Sequence, residues 1–427
     1  MTQLRATKPG LVLGALLGIA VFLYLRNPGP EDPEEEPTYP AVVECGFYPE
    51  ELCSALFEGK GAAPQIARFC KPPHGSETLA VLRSPGNCSQ LVRGLHFITR
   101  PLSAEEANCS LAYVVTVRRE LALSVRQLRA IYAPQNVYCI QVDERAPKRL
   151  KAAVQTLASC LENVFTLSDV AASGFPRLQA DVDCMKALVH SRFPWDHVIS
   201  LGGQDFPLKT NREIVRFLRS RWDGKNLIPG GVQPPSSNLK ANHSHSRSTL
   251  GTNTPESPKK TFKQEAPHNL KVYFGSAYYV LTRKFVEFVL SDVRAKDLLE
   301  WCRDTPSPEQ LYWVTLNRVA DAPGGAPDTS WEGNIRAVKR KHQEGAAHGG
   351  CKGHYVHDVC VYGLGDLPWL VRSPALFAGE FEFSTDPLVV TCLERRHRLR
   401  ALQQAEGPVE PPWHFQQHSH FNTRLSH

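Results

Sequence analysis

From Leu111 onward, continuous apolar runs alternate with stretches of helical period, and that alternation limits the architectures open to the chain. LAYVVTV (111–117) predicts a buried strand, and Leu121, Val125, Leu128 and Tyr132 then recur at helical spacing. VYCIQV (137–142) predicts a second strand ending at Asp143, followed by a helix from about 147. NVFTL (163–167), a helix across 177–192 and a short strand from His197 to Leu201 complete the series. Strands alternating with helices indicate an α/β sandwich with a mainly parallel central sheet. Ligands of such sheets sit beyond the carboxyl ends of the strands. Asp143 and Asp205 both follow strand ends and are therefore site candidates; the plain alternative is that they only turn loops.

The 427 residues are 42% hydrophobic, enough for a substantial core, and the net charge of +6 is spread too evenly for a nucleic-acid footprint. Twelve cysteines suit an oxidising compartment. Leu11 to Leu25 is apolar throughout, with Arg5 and Lys8 before it and the acidic run Glu31 to Glu36 after it. A bilayer crossing takes about 20 apolar residues, fewer in thin early secretory membranes. The charge order favours a cytoplasmic N-terminus and a luminal C-terminus. The competing reading is a cleaved signal peptide, but Tyr24-Leu25-Arg26-Asn27-Pro28 lacks the small-x-small cleavage pattern. The expected organisation is a cytoplasmic tail (1–8), a single transmembrane signal-anchor (9–25), a luminal stem rich in proline and glycine (26–80) and a luminal catalytic domain (81–427). Within that domain 229–270 has almost no apolar periodicity and reads as a long mobile loop. Sequons at Asn87, Asn108 and Asn242 agree with luminal exposure.

Several segments together resemble the core 2/I-branching β-1,6-N-acetylglucosaminyltransferase family. They are RPLSAEEA (100–107), RAIYAPQNVYCIQVD (129–143), DCMKAL (183–188), GGQDFPLKTNREIV (202–215), FGSAYYV (274–280), DTPSPEQLYW (304–313), VCVYGLGDLPWL (359–370) and LFAGEF (376–381). The resemblance covers roughly residues 50 to 402, in family order. It implies a GT-A-type α/β/α fold in the Golgi membrane and lumen. It also implies UDP-N-acetylglucosamine as donor and inverting transfer to a sugar 6-hydroxyl of an O-glycan acceptor. The family's bridges fall on Cys53–Cys392, Cys88–Cys160, Cys139–Cys184 and Cys351–Cys360. Cys45, Cys70, Cys109 and Cys302 are left to pair, stay buried or link two chains as a homodimer.

An inverting transferase needs a carboxylate to take the proton of the incoming hydroxyl and positive groups to steady the departing diphosphate. Asp181-Val182-Asp183 spells the pair with which many such enzymes hold a metal, but it falls in a helical stretch and reads as an ordinary helix face. The resembling family uses an Arg and a Lys instead, so no metal or other cofactor is expected. Cys351, His354, His357 and Cys360 imitate a zinc spacing, yet a disulfide suits the oxidising lumen better. The family's S-P-D-E motif, whose glutamate is the base, falls on Ser307-Pro308-Glu309-Gln310, which puts an amide at the base position. Glu309 is the candidate replacement, although neighbouring helical residues project about 100° apart. Its bland reading is a helix-start charge.

The donor clamp departs as well. The family's diphosphate-binding Arg falls on His357, which carries charge only in a mildly acidic lumen. Its Lys falls on Glu380, which reverses the sign. At the nucleoside end Val117, Arg118, Asp143, Glu144 and Arg145 occupy the matching strand ends, with Asp143 suited to hydrogen-bond the uridine. Acceptor positions fall near Ile228, Ser236 and Leu239 and on Arg340 and His342. Two readings follow: an active transferase with Glu309 as rearranged base, and a catalytically impaired relative that binds a nucleotide sugar, a glycan or a partner protein.

Overall fold

The four apolar runs become adjacent strands because each is too apolar to face water on either side. In the computed structural model, which describes residues 49–69, 82, 87–171, 173–232, 265–326 and 335–407, Leu111–Val117 (β1) and Val137–Asp143 (β2) are buried along their whole lengths. Val164–Val170 (β3), His197–Gly202 (β4) and the short Val280–Thr282 (β8) complete a sheet of order β3-β2-β1-β4-β8. All neighbours are parallel except β8, which runs antiparallel to β4. The register places Val117 opposite Val142 and Thr116 opposite Gly202. The carboxyl ends of β1, β2 and β4 therefore finish level, and the residues just beyond them share one edge.

A second sheet stands against that edge. Phe206–Pro207 (β5) pairs antiparallel with Phe377–Ala378 (β12), which pairs parallel with Arg336–Ala337 (β9). This brings the segment after β4 beside residues more than a hundred positions later. Two hairpins lie outside these sheets. His354–Val356 (β10) pairs with Val359–Val361 (β11), and Gly230–Val232 (β6) pairs with Tyr273–Gly275 (β7). The β6–β7 pairing shows that the segment read as a loop over 229–270 begins and ends in ordered structure; residues 233–264 lie outside the described residues.

The helix Phe175–His190 packs on β1, β2 and β3 and is tied to β2 by Cys139–Cys184. The bridges Cys53–Cys392, Cys88–Cys160 and Cys351–Cys360 are also formed. Cys109 and Cys302 are buried thiols, the first pushed up to about 12 by burial and by Asp196 beside it. Cys45 and Cys70 lie outside the described residues, as do the apolar stretch 9–25 and the sequon at Asn242. Asn87 and Asn108 are exposed, and Asn87 caps the helix Cys88–Gly94 by accepting from Gln90 N at 2.9 Å.

Residues 49–69 differ from the sequence reading. They fall within the segment read as stem, yet they form the helices Pro49–Glu58 and Ala63–Phe69. Leu52, Leu56, Ala63 and Ala67 are buried in the same cluster as Leu393 and Phe381 of the body. Burying such a side chain contributes about 1.5–3 kcal/mol for the leucines, which is why this part of the segment folds. Among the described residues no helix is long and apolar enough to cross a membrane.

Candidate active site

The ends of β1 and β4 open into a cleft of about 260 Å³, near the lower end of the size range of small-molecule sites. Its wall is built from six parts of the chain: Thr116 in β1 with Arg118–Glu120 and Leu123 after it, Arg177, Gly202 at the end of β4 with Gly203–Asp205 after it, Tyr278, Arg336, and Glu380, Glu382 and Ser384 after β12. The β4 turn is held from behind, where Gln127 Nε2 donates to the carbonyls of Gly202 at 2.7 Å and Asp205 at 2.8 Å. Gly203 is required there because a Cβ would lie 2.9 Å from the Thr116 carbonyl and 3.1 Å from Val117 Cα, both backbone atoms that cannot move aside.

Asp205 is a member of this site and not only a loop residue. It is fully buried, accepts from Gly202 N at 2.7 Å and pairs with Arg336, whose Nε lies 2.9 Å away. Burial pushes its carboxyl above the ordinary value, with Arg336 opposing. Arg336 in turn stacks on Tyr278, 3.8 Å from the ring centroid. Tyr278 falls within the FGSAYYV run without being singled out there, and no motif announced Arg336; only the β9–β12 and β5–β12 pairings make Arg336 a neighbour of Asp205.

The residues expected at a nucleoside site come together at the ends of β1 and β2. Asp143 is buried at the end of β2, accepts from Arg118 Nε at 3.1 Å and from Arg145 N at 2.8 Å, and so is fixed in place. Val117 is buried, while Glu144 and Arg145 are exposed and form a loose ion pair at 3.6 Å.

The metal-like pair Asp181/Asp183 does not converge. Asp183 is exposed and accepts from Gln179 at 3.1 Å. Asp181 departs from the expected ordinary helix face: it is buried and accepts from Gln141 Nε2 at 2.7 Å, and Gln141 itself accepts from Thr116 at 2.8 Å. Burial pushes the Asp181 carboxyl up, with Arg177 opposing. Arg177 and Asp181 stand four apart, one turn of the same helix face. That spacing was the available sequence signal for Arg177.

Glu309 opens the helix Glu309–Asn317, and its Oε2 is buried with no hydrogen-bond partner. Burial pushes its carboxyl above the ordinary value; Arg177 pulls it down and Asp181 pushes it up. Glu309 thus stands in the same electrostatic cluster as Arg177, which lines the cleft. Gln310 is half-buried beside it. A half-buried carboxylate with one oxygen unbonded and a raised pKa has the properties of a general base.

Glu380 lines the cleft as expected of its position, but His357 does not. His357 is exposed in the two-residue turn between β10 and β11, with φ 57°. Arg340 and His342 gather at the same turn around Asp358, with His342 Nδ1 2.6 Å and Arg340 Nη1 3.8 Å from Oδ2. Burial pushes the Glu380 carboxyl up, against the pull of Arg336. Of the other acceptor candidates, Ile228 is core and Ser236 and Leu239 lie outside the described residues. The cysteines of the zinc-like spacing are bonded to each other. Among the described residues the one grouping of three metal-type ligands is Cys351, Cys360 and Asp366, which contains that same disulfide.

Residues 111–371 match the family described as Branch: Core-2/I-Branching enzyme. Over 429 residues the chain is 65% identical to the human protein named probable β-1,3-galactosyl-O-glycosyl-glycoprotein β-1,6-N-acetylglucosaminyltransferase 7, covering 100% of both. It is 42% identical to human N-acetyllactosaminide β-1,6-N-acetylglucosaminyl-transferase, covering 95% of this chain and 98% of the relative. To rat β-1,3-galactosyl-O-glycosyl-glycoprotein β-1,6-N-acetylglucosaminyltransferase 3 it is 35% identical, covering 76% of each. The chain belongs to the core-2/I-branching enzyme family, and its mixed α/β fold with a mostly parallel sheet and four disulfides fits a glycosyltransferase.

Proposed function

We propose that this chain is an inverting, metal-independent β-1,6-N-acetylglucosaminyltransferase of GT-A type. It takes UDP-N-acetylglucosamine as donor and an O-glycan-type chain as acceptor, and works in the Golgi lumen from a single-pass type II anchor. The observation that carries this reading is the arginine-bearing cleft at the ends of β1 and β4, with the half-buried carboxylate Glu309 in the field of its Arg177. The names of the relatives support the donor sugar and the linkage. The apolar stretch after Arg5 and Lys8 and the exposed sequons Asn87 and Asn108 support the anchor and the lumen.

The residues assign the step as follows. Asp143 holds the nucleoside at the end of β2. Glu309 accepts the proton of the acceptor 6-hydroxyl as that oxygen attacks the anomeric carbon. The bond from that carbon to the diphosphate breaks, UDP departs with the electron pair, and the anomeric configuration inverts. Arginines of the cleft oppose the negative charge that grows on the leaving group.

The test is transfer by the purified full-length chain from labelled UDP-N-acetylglucosamine to a β-1,3-galactosyl O-glycan and to an N-acetyllactosaminide, with and without EDTA. The expected outcome is a β-1,6-linked product on at least one acceptor, in equal yield with EDTA. No product on either, with UDP bound, would replace this reading by that of a nucleotide-sugar-binding protein.

A further inference from the structure

The donor's diphosphate carries the largest charge in the proposed reaction, and neither family-matched clamp position supplies a cation inside the cleft. His357 stands outside it and Glu380 is an acid. The cleft nevertheless contains four arginines, and their commitments differ. Arg336 is paired with Asp205, and Arg118 donates to Asp143. Arg119 is exposed. Arg177 is only partly exposed, its Nε is buried with no hydrogen-bond partner, and no ion pair closes on its guanidinium among the described residues.

A largely covered guanidinium whose Nε–H has no acceptor is costly and is retained where an anion comes to it. Burial opposes the Arg177 charge, but the fields of Asp181, Tyr278 and Glu309 outweigh it and keep the group protonated. The helix that carries it is also positioned in advance. Phe175–His190 is bridged to β2 through Cys184, and Asp181, one turn beyond Arg177, is fixed by Gln141. A planar fork of donors with no protein acceptor matches a phosphate pair bidentately.

We propose that Arg177 is the diphosphate-binding residue of the donor site, in place of the cations absent at His357 and Glu380. This rests on the donor assignment made above. The same guanidinium lies in the field of Glu309, so one side chain faces the leaving group and the base together.

The test is calorimetric binding of UDP and of uridine to the full-length chain and to Arg177→Gln. The expected result is that wild type holds UDP more tightly than uridine. The variant should lose about 10–100-fold in UDP affinity and nothing in uridine affinity. Equal UDP affinity in the two proteins overturns the assignment and leaves the donor site standing. If wild type binds neither ligand, the donor reading itself falls, and the assignment with it. Should Arg177→Gln fail to fold, the wild-type chain decides the matter by peptide mass spectrometry after arginine-directed dicarbonyl modification. UDP must shield Arg177 where uridine does not; equal modification under both ligands overturns the proposal.

Discussion

Glu309 combines two properties that pull against each other, a carboxylate fit to take a proton and a buried oxygen with nothing to bond. Its replacement by glutamine should therefore separate catalysis from stability. For transfer, Glu309→Gln is expected to lower kcat about 10²–10⁴-fold with UDP affinity unchanged, because only proton abstraction is lost. An unchanged kcat would remove Glu309 from the mechanism and return the question to Gln310. Because burial raises the Glu309 pKa, the acid limb of the wild-type kcat/KM profile should lie above the ordinary glutamate value. For stability the sign reverses. A carboxyl whose pKa is raised by folding stabilises the folded state below its unfolded pKa, and that contribution is lost as pH rises through the folded value. At pH 7.5 the wild type therefore carries an ionised, poorly solvated group, and Glu309→Gln should be more stable by about 1 kcal/mol in urea melts. The gain should vanish near pH 4; a gain that persists there would show that ionisation is not its source.

The strands and helices of the main sheet are legible in the sequence because each has one period, and the structure reproduces 111–117, 137–143 and 197–202 within a residue or two. Asp143 was legible for the same reason, since a strand's end is local, while Arg118 came from the family resemblance. The second sheet was not, because β5, β9 and β12 are two residues each and carry no period. Arg336 enters the cleft only through that pairing. Arg177 is a different case: its i, i+4 partner Asp181 was visible, but a helix wheel does not tell which face a site occupies. The short sheet also yields a prediction. A Cβ on Gly379 would collide with Asp205 Oδ1 and the Arg336 guanidinium, so Gly379→Ala must part this buried pair. Breaking such a pair costs about 3–5 kcal/mol. Gly203→Ala presses on backbone instead and should cost about 1–3 kcal/mol. Denaturant melts should rank the two in that order; the reverse order would mean that the Asp205–Arg336 pair is not what holds the β5–β12–β9 sheet to the cleft.

Across the molecule, the helix Pro387–Gln403 joins parts that are distant in the chain. Cys392 bridges to Cys53 over a sequence separation of 339, and Glu394, two residues on, is buried between Arg126 and Arg129 of the helix Leu121–Ile131 behind the cleft. Arg129 Nε donates to Glu394 Oε1 at 2.7 Å. Burial opposes the Glu394 charge, but Arg129 and Arg126 outweigh it and hold the carboxyl below its ordinary value. That contribution to stability is present above the unfolded pKa and is lost as pH falls through the folded one. Removing the bridge, with Cys53→Ala and Cys392→Ala together, should cost about 2–4 kcal/mol. Glu394→Ala should cost about 3–5 kcal/mol, since it strands two buried guanidinium groups. Both changes act on the docking of one helix, so once either has loosened it the other has less left to lose. The combined variant should therefore fall short of the sum by 0.5 kcal/mol or more, about the coupling seen between residues that share a structural element. Urea melts at pH 7 of the four proteins in this cycle measure the term directly. Strict additivity would mean that bridge and ion cluster secure separate pieces of the fold, and that the Leu121–Ile131 helix, with Gln127 bracing the cleft, does not depend on the N-terminal helices.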